Sequence, residues 1–443
     1  MNIILLLLLL LIAFFNYILS DKNVLFPSVI VSGVFCVSTL LVVLNNSLWE
    51  YQVSVDTVFV ICGALILLSI GSFIGARIVS ISDLKQKEQY FKRDYCSLDI
   101  SDNNMKWIST VCLLVTFVYA IHQYRLAASL GNKAGITGVI STIRSQVLIN
   151  PGVFQLGMLL NMGIVFSRAM GYICIFYVIT GILCRDRKIK RYIIPVICLG
   201  ADIILSTSRS AFITITVACI FDLYIIQNRR GIKRINQKII KYIIIGVVMF
   251  FGVFRLAGTL TGKSAILSLW DTISIYAGSS IVCLDHFIGQ TRSLSLIFGQ
   301  RSFVGIYNIL ARFGFSFPQG TNHAEFVFWG GGKYSSNIYT ALYPYILDFG
   351  IAGTLILQLV LGILFGIVWK KYQGEHTSSL IMITYGRFWG TPLAFYSIAE
   401  VLCTSNLALN TFVEIAFYVI VIQLITNKNR NVSSLSKNRQ CYS

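Results

Sequence analysis

Runs of about twenty apolar residues recur along the whole chain, as at 2–20 and 345–369. In hydrocarbon every backbone N–H and C=O must be satisfied within the protein, which leaves helices and closed barrels. Uninterrupted apolar runs of this length select helices. Charged residues make up 12% of the chain, half the share usual in a soluble domain. The sequence therefore predicts an all-α, polytopic integral membrane protein with about eleven transmembrane helices. The spans are read at about 2–20, 24–44, 55–76, 107–128, 161–183, 192–206, 210–227, 242–257, 345–369, 379–400 and 406–426. Residues 2–20 lack a basic leader and a small-residue cleavage site, so they are read as a retained first span.

The net charge of +18 is distributed by side rather than by domain. One cluster contains Arg77, Lys85, Lys87, Lys92, Arg93 and Lys106, a second is RDRKIKR at 185–191, and a third is NRRGIKRINQKIIK at 228–241. Lys370, Lys371 and the tail from Lys428 complete the set. All fall on one side of an eleven-span chain, which makes that side cytoplasmic and the amino terminus periplasmic. The basic charge is thus explained without nucleic acid. The eleven cysteines are scattered through apolar runs and suit helix packing better than metal binding or disulfides.

No repeat or linker divides the chain, so 1–443 reads as a single polytopic membrane domain with a large periplasmic loop, 258–336, between spans eight and nine. Within that loop Phe303, Ile306, Tyr307, Leu310 and Phe313 share a helical face. In the smaller loop 129–160, Ile136, Val139, Ile140, Ile143 and Val147 do the same. Both stretches are expected to lie in the outer membrane interface.

Arginine placement carries the functional argument. The segment ILSTSRSAF, 204–212, interrupts an apolar run flanked on both sides by cytoplasmic clusters. The chain must cross twice, and Ser206–Ser210 is the outward turn. Helix rise puts Arg209 about 25 Å above Tyr192, Arg255 about 20 Å above Tyr242, Arg168 about 24 Å above Cys184 and Arg125 about 27 Å above Trp107. Four arginines are thus expected at one depth, near the outer edge of an apolar layer about 30 Å thick. A guanidinium fork matches phosphate oxygens, so the set suits an anionic lipid headgroup. The plainer reading is that each snorkels or pairs with an acid among Asp202, Asp271, Asp285, Glu325 and Asp348. Arg387 lies mid-span, where a structural pair with an acid from another span is expected.

Two motif matches fail. GTLTGKS at 258–264 has Ala257 where a phosphate loop needs its first glycine, and LDFG at 347–350 lacks any kinase context. Nothing has metal-ligand spacing. Joining two lipid-pyrophosphate-linked sugars at the outer face fits the inventory better. Cations would neutralise the leaving pyrophosphate, and a base would take the acceptor's proton. Tyr307, Asn308, Phe317, Asn322, Trp329 and Tyr334 would offer sugars polar and aromatic surface.

The segments LIFGQRSFVGIYNILARFG (296–314) and SSNIYTALYPYILDFGIAGTLILQLVLGILFG (335–366) resemble the signature region of bacterial oligosaccharide repeat-unit polymerases of the Wzy type. LSTSRSAF resembles the Ser-Arg motif at the top of a hairpin in that family. The resemblance implies an enzyme of the bacterial inner membrane that works at the periplasmic face. It would transfer a growing glycan from undecaprenyl pyrophosphate onto a new lipid-linked repeat unit, without metal or cofactor. Donor and acceptor glycolipids, membrane lipid, a chain-length regulator and a flippase are the partners implied. Arg209, Arg255, Arg168 and Arg125 become candidate pyrophosphate ligands, and Arg301, Arg312, Asn337 and Tyr339 candidate glycan contacts.

A wider likeness is to O-antigen ligases, which share the Ser-Arg pair and carry a His-Asn pair before a glycine-rich span. Here that place reads Ser336–Asn337, so the histidine is missing. The base is sought among Glu325, His323 and Asp348, in that order. Two rivals remain, a transporter of lipid-linked oligosaccharides and a ligase. A transporter should line a midplane cavity with charge and often shows an internal repeat. The missing histidine counts against a ligase.

Overall fold

The computed structural model describes residues 1–84, 100–131, 156–184, 187–208, 210–229, 268–290, 297–317, 324–374 and 377–423, with a few isolated positions between. In chain order the helices are α1 (Asn2–Leu19), α2 (Pro27–Leu44), α3 (Asn46–Trp49), α4 (Val55–Leu84) and α5 (Asp102–Ser129). Next come α6 (Met158–Cys184), α7 (Ile193–Leu205), α8 (Ser210–Arg229), α9 (Leu269–Ile288) and α10 (Val304–Arg312). A hairpin of β1 (Val327–Trp329) and β2 (Tyr334–Ser336) precedes α11 (Leu342–Gln373). Then follow α12 (Ser379–Tyr385), a π turn at Gly386–Gly390, α13 (Thr391–Phe395) and α14 (Leu409–Gln423).

Among the described residues seven helices are long and apolar enough to cross a membrane: α1, α2, α4, α5, α6, α8 and α11. The chain is a multi-pass helical membrane protein. The helices α7 and α8 flank a turn at Ser206–Ser208, in which Thr207 takes φ 55°. The helix break falls at the expected turn, although Arg209 itself lies outside the described residues. The eighth expected span, 242–257, falls almost wholly outside them too.

The chain divides into two compact units, the first being Met1–Gln89, Leu267–Thr377 and Phe388–Leu409, the second Tyr90–Ile266, Ser378–Arg387 and Asn410–Ser443. In the first, α4 and α11 form a glycine seam. A Cβ on Gly71 or Gly75 would sit 2.2 or 2.1 Å from the carbonyl oxygen of Leu359 or Ile363. One on Gly362 or Gly366 would sit 2.3 or 2.1 Å from that of Leu68 or Ser72. Lipid is as apolar as leucine, so helices gain by backbone approach, which small residues four apart on each helix permit. At Gly350 φ is +67°, which breaks α11 near its start. The freed carbonyl of Leu347 accepts the Ser295 N–H at 2.9 Å.

The expected loop 258–336 is not open chain throughout. It contains the 20-residue α9, whose Ile281, Val282, Cys283 and Leu284 are fully buried in the first unit's core. The polar residues of α9 depress its hydropathy, yet each finds a partner. Asn45 donates to Ser274 Oγ at 3.0 Å, and Ser279 donates to Ser336 Oγ at 2.8 Å. Asp285 accepts from the Ser54 hydroxyl at 2.6 Å and the Tyr51 hydroxyl at 2.7 Å. Burial, with the Asp285 carboxylate beside it, pushes the Tyr51 phenol up, so it stays a donor. The amphipathic helix expected around 303–313 forms as α10. It buries Val304 and leaves Ile306 and Phe313 exposed.

The second unit packs α5 and α7 against α6, with Gly171 accepting the side chain of Leu199 at 2.6 Å from where its Cβ would be. Asp202, fully buried on α7, accepts hydroxyls from Thr116 of α5 at 2.9 Å and Ser167 of α6 at 2.8 Å. From the second expected amphipathic stretch, Val139 and Ile143 bury against Ala127, while Ile136, Ile140 and Val147 lie outside the described residues. Arg387 pairs with Glu414 of α14 at 3.3 Å, and its guanidinium stands 5.8 Å from the Tyr172 ring centre. The expected structural pair is present, and the acid is Glu414.

Candidate functional site

A cleft of about 260 Å³ with mixed polar and apolar lining opens in the first unit. Four chain segments build it: the turn before α10, Ala324 ahead of β1, the stretch from β2 into the start of α11, and the irregular chain after α13. Arg301, Asn337 and Tyr339, the three candidate glycan contacts from 296–314 and 335–366, stand around it with Tyr343, Glu400 and Thr404. The fourth, Arg312, is exposed at the end of α10 and does not line it. The volume is a little under the roughly 300 Å³ at which sites for drug-sized ligands begin, so it suits one sugar ring better than a chain.

Each wall is fixed by local bonding. Ser336 is buried; its hydroxyl accepts from Ser279 at 2.8 Å and from the Ile338 N–H at 3.1 Å. This ties the start of the irregular 337–341 segment to α9, and Asn337 beside it is exposed. The hairpin reverses through Gly330, Gly331 and Gly332, all at positive φ, which lets Trp329 pack on Trp49 at 5.4 Å between ring centres. Tyr339 donates to the Glu325 carbonyl at 3.1 Å, and its ring stacks on Tyr343 at 4.0 Å. The pair is closed on its far side by Phe287, whose ring stands 4.8 Å from that of Tyr343, so the wall is aromatic and rigid.

The third wall is held from four directions. Helix geometry ends at Phe395, before the expected span end at 400. The Ala341 N–H bonds the Tyr396 carbonyl at 2.9 Å, and Ser38 of α2 donates to Ser397 at 2.9 Å. Asn406 donates to the Phe388 carbonyl at 2.8 Å, while a Cβ on Gly305 would lie 2.8 Å from the Leu407 carbonyl. Glu400 sits inside this frame. Its Oε1 accepts from the Tyr345 hydroxyl at 2.8 Å and the Cys403 N–H at 2.9 Å, and its Oε2 from the Thr404 N–H at 2.7 Å. The sequence reading missed Glu400, because it falls at the end of an apolar run with no motif around it. An acid where a span stops was the available signal.

The three acid–base candidates fare differently. His323 lies outside the described residues. Glu325 is exposed, and its neighbour Ala324, not Glu325, lines the cleft. Asp348 is buried, and its carboxylate accepts the backbone N–H groups of Arg301 at 3.0 Å and Ser302 at 2.6 Å. It therefore shapes the turn that carries Arg301.

In the second unit Arg168 is half-buried, with Nε buried and without a hydrogen-bond partner among the described residues. His122 Nδ1 is in the same position, and Gln123, fully buried near Tyr119, makes no hydrogen bond of normal geometry. Arg125 is exposed. Thr116 and Ser167 share Asp202 and so lie level. Arg125 is nine residues beyond Thr116, which puts it about 13 Å farther along the helix pair than Arg168. The common depth expected for these two is not met. Rise counted from Trp107 understates the height of Arg125, because α5 begins at Asp102 behind a Ser101 cap. Arg255, like Arg209, lies outside the described residues.

The fold and the cleft together define a multi-pass helical membrane protein with a small recess lined by Arg301, Asn337 and Glu400. No family model, curated protein or solved structure matches the chain.

Proposed function

We propose that this protein is a polymerase of the bacterial inner membrane. It joins oligosaccharide repeat units carried on undecaprenyl pyrophosphate, at the periplasmic face, and needs no metal. The observation that carries this reading is the cleft, where Arg301, Asn337 and Tyr339 meet stacked aromatic rings and a carboxylate. Such a recess binds a sugar ring by hydrogen bonds to hydroxyls and by ring stacking. The basic clusters support the orientation, since they put 301, 337–344 and 400–404 on the outer side. Arg209, Arg255 and Arg168 would neutralise pyrophosphate as it leaves. Arg125 is the weakest member of that set, given its displacement from Arg168.

The Arg387–Glu414 contact does not favour a transporter. Both charges are consumed by each other, which is a structural closure rather than a substrate path. Deletion of the gene tests the proposal in cells. A polymerase deletion leaves single repeat units on the surface lipid, resolved as one band above the unsubstituted core. A flippase or ligase deletion leaves none.

A further inference from the structure

We infer that Glu400 is the general base of the transfer and that the cleft around it seats the acceptor sugar. This inference rests on the polymerase reading. A base must stand within hydrogen-bond reach of the hydroxyl it deprotonates, on a support that fixes its direction. Among the acids of the first unit Asp285 is held by Tyr51 and Ser54, and Asp348 by two backbone N–H groups. Glu325 is exposed outside the lining. Glu400 alone among the described acids lines the cleft, together with Asn337, Tyr343 and Thr404. Its three donors replace water around the carboxylate without bringing a proton or a cation to it. A carboxylate offers about four lone-pair directions, and the Thr404 hydroxyl stands beside the fourth while donating to the Glu400 carbonyl, so an incoming acceptor hydroxyl takes the place of this one mobile donor. Tyr343, held by the buried Tyr339 on which it stacks, gives the cleft an aromatic wall beside Glu400 for the ring that bears it.

The step balances without a co-reactant. The acceptor hydroxyl gives its proton to Glu400. The same oxygen bonds the donor's anomeric carbon, and the bond from that carbon to the pyrophosphate oxygen breaks. The electron pair leaves on the lipid pyrophosphate, and Glu400 passes its proton to water.

The test uses the full chain in proteoliposomes with lipid-diphosphate-linked repeat units extracted from cells that make the protein. Glu400→Gln is expected to lower turnover by at least ~100-fold, the usual contribution of a general base, with the acceptor KM changed by less than about threefold. Glu400→Asp should fall between, and formate should restore part of the turnover to Glu400→Ala. Turnover of Glu400→Gln within threefold of the unsubstituted protein overturns the assignment. An unsubstituted protein that makes no polymer instead overturns the polymerase reading, so the two failures are distinct. If Glu400→Gln does not fold, Tyr345→Phe decides. It removes one donor from the carboxylate, so the acidic limb of the pH–rate profile should move to higher pH. An unmoved limb counts against Glu400.

Discussion

In the first unit α4 and α11 approach until Gly71, Gly75, Gly362 and Gly366 lie against the facing backbone. In the second, α5, α6 and α7 meet around one carboxylate, with Thr116 and Ser167 donating to Asp202. Both arrangements answer the same problem, which is that apolar side chains gain little from each other when lipid is the alternative. The glycine seam uses shape and carries no titratable group. The carboxylate seam uses polarity and keeps a buried acid between three helices, bonded to Ser167, the neighbour of Arg168. The first is therefore intolerant of added volume and indifferent to charge. The second should show the reverse.

The largest expected effect breaks the glycine seam. Gly362→Ala puts a methyl 2.3 Å from the Leu68 carbonyl, so the helices must part. Destabilisation above about 4 kcal/mol is expected, read as loss of the monodisperse peak in detergent. Gly33→Ala on α2 is the control: nothing lies within 4 Å of its Cβ, and a gain of up to about 1 kcal/mol is expected.

Next comes the ion pair of the second unit. Arg387→Ala strands the buried Glu414 and should cost about 3 to 5 kcal/mol by thermal unfolding. Adding Glu414→Leu should recover most of it. A double variant no better than the single one would show that packing around the Tyr172 ring, not charge, is what Arg387 contributes.

Asp202→Ala should cost about 1 to 3 kcal/mol, because two hydroxyls lose their acceptor, and Asp202→Asn less. Equal costs would mean that the negative charge itself is required there. The smallest effect is expected at Asp348→Asn. An amide oxygen still accepts the Arg301 and Ser302 N–H groups, so stability should fall by no more than about 1.5 kcal/mol and polymer should still form. Loss of all polymer with the protein intact would return Asp348 to the list of bases.

The spans were legible because length and hydropathy alone decide what crosses a bilayer. Arg387 was legible as half of a pair, since an unpaired mid-span charge is too costly to keep. The helix α9 was not legible. Its Ser274, Ser279 and Asp285 look like loop residues until Asn45, Ser336, Tyr51 and Ser54 arrive from distant parts of the chain. The four seam glycines stand four apart within each helix, a readable pattern, but nothing local says which helix each pair meets. Arg301, Asn337 and Tyr339 could be grouped from the segments that carry them. Glu400 could not, because its place in the cleft depends on the chain leaving helix geometry at Phe395 and being tied to Ala341 and Ser38.

The proposed activity is the joining of lipid-linked oligosaccharides. Purified protein in proteoliposomes, supplied only with lipid-diphosphate-linked repeat units and a chelator, tests it most directly on a denaturing gel. The account predicts a ladder whose steps are one repeat unit, with lipid pyrophosphate released in step with it. Glycolipid that crosses the bilayer unchanged, with no ladder, would contradict it.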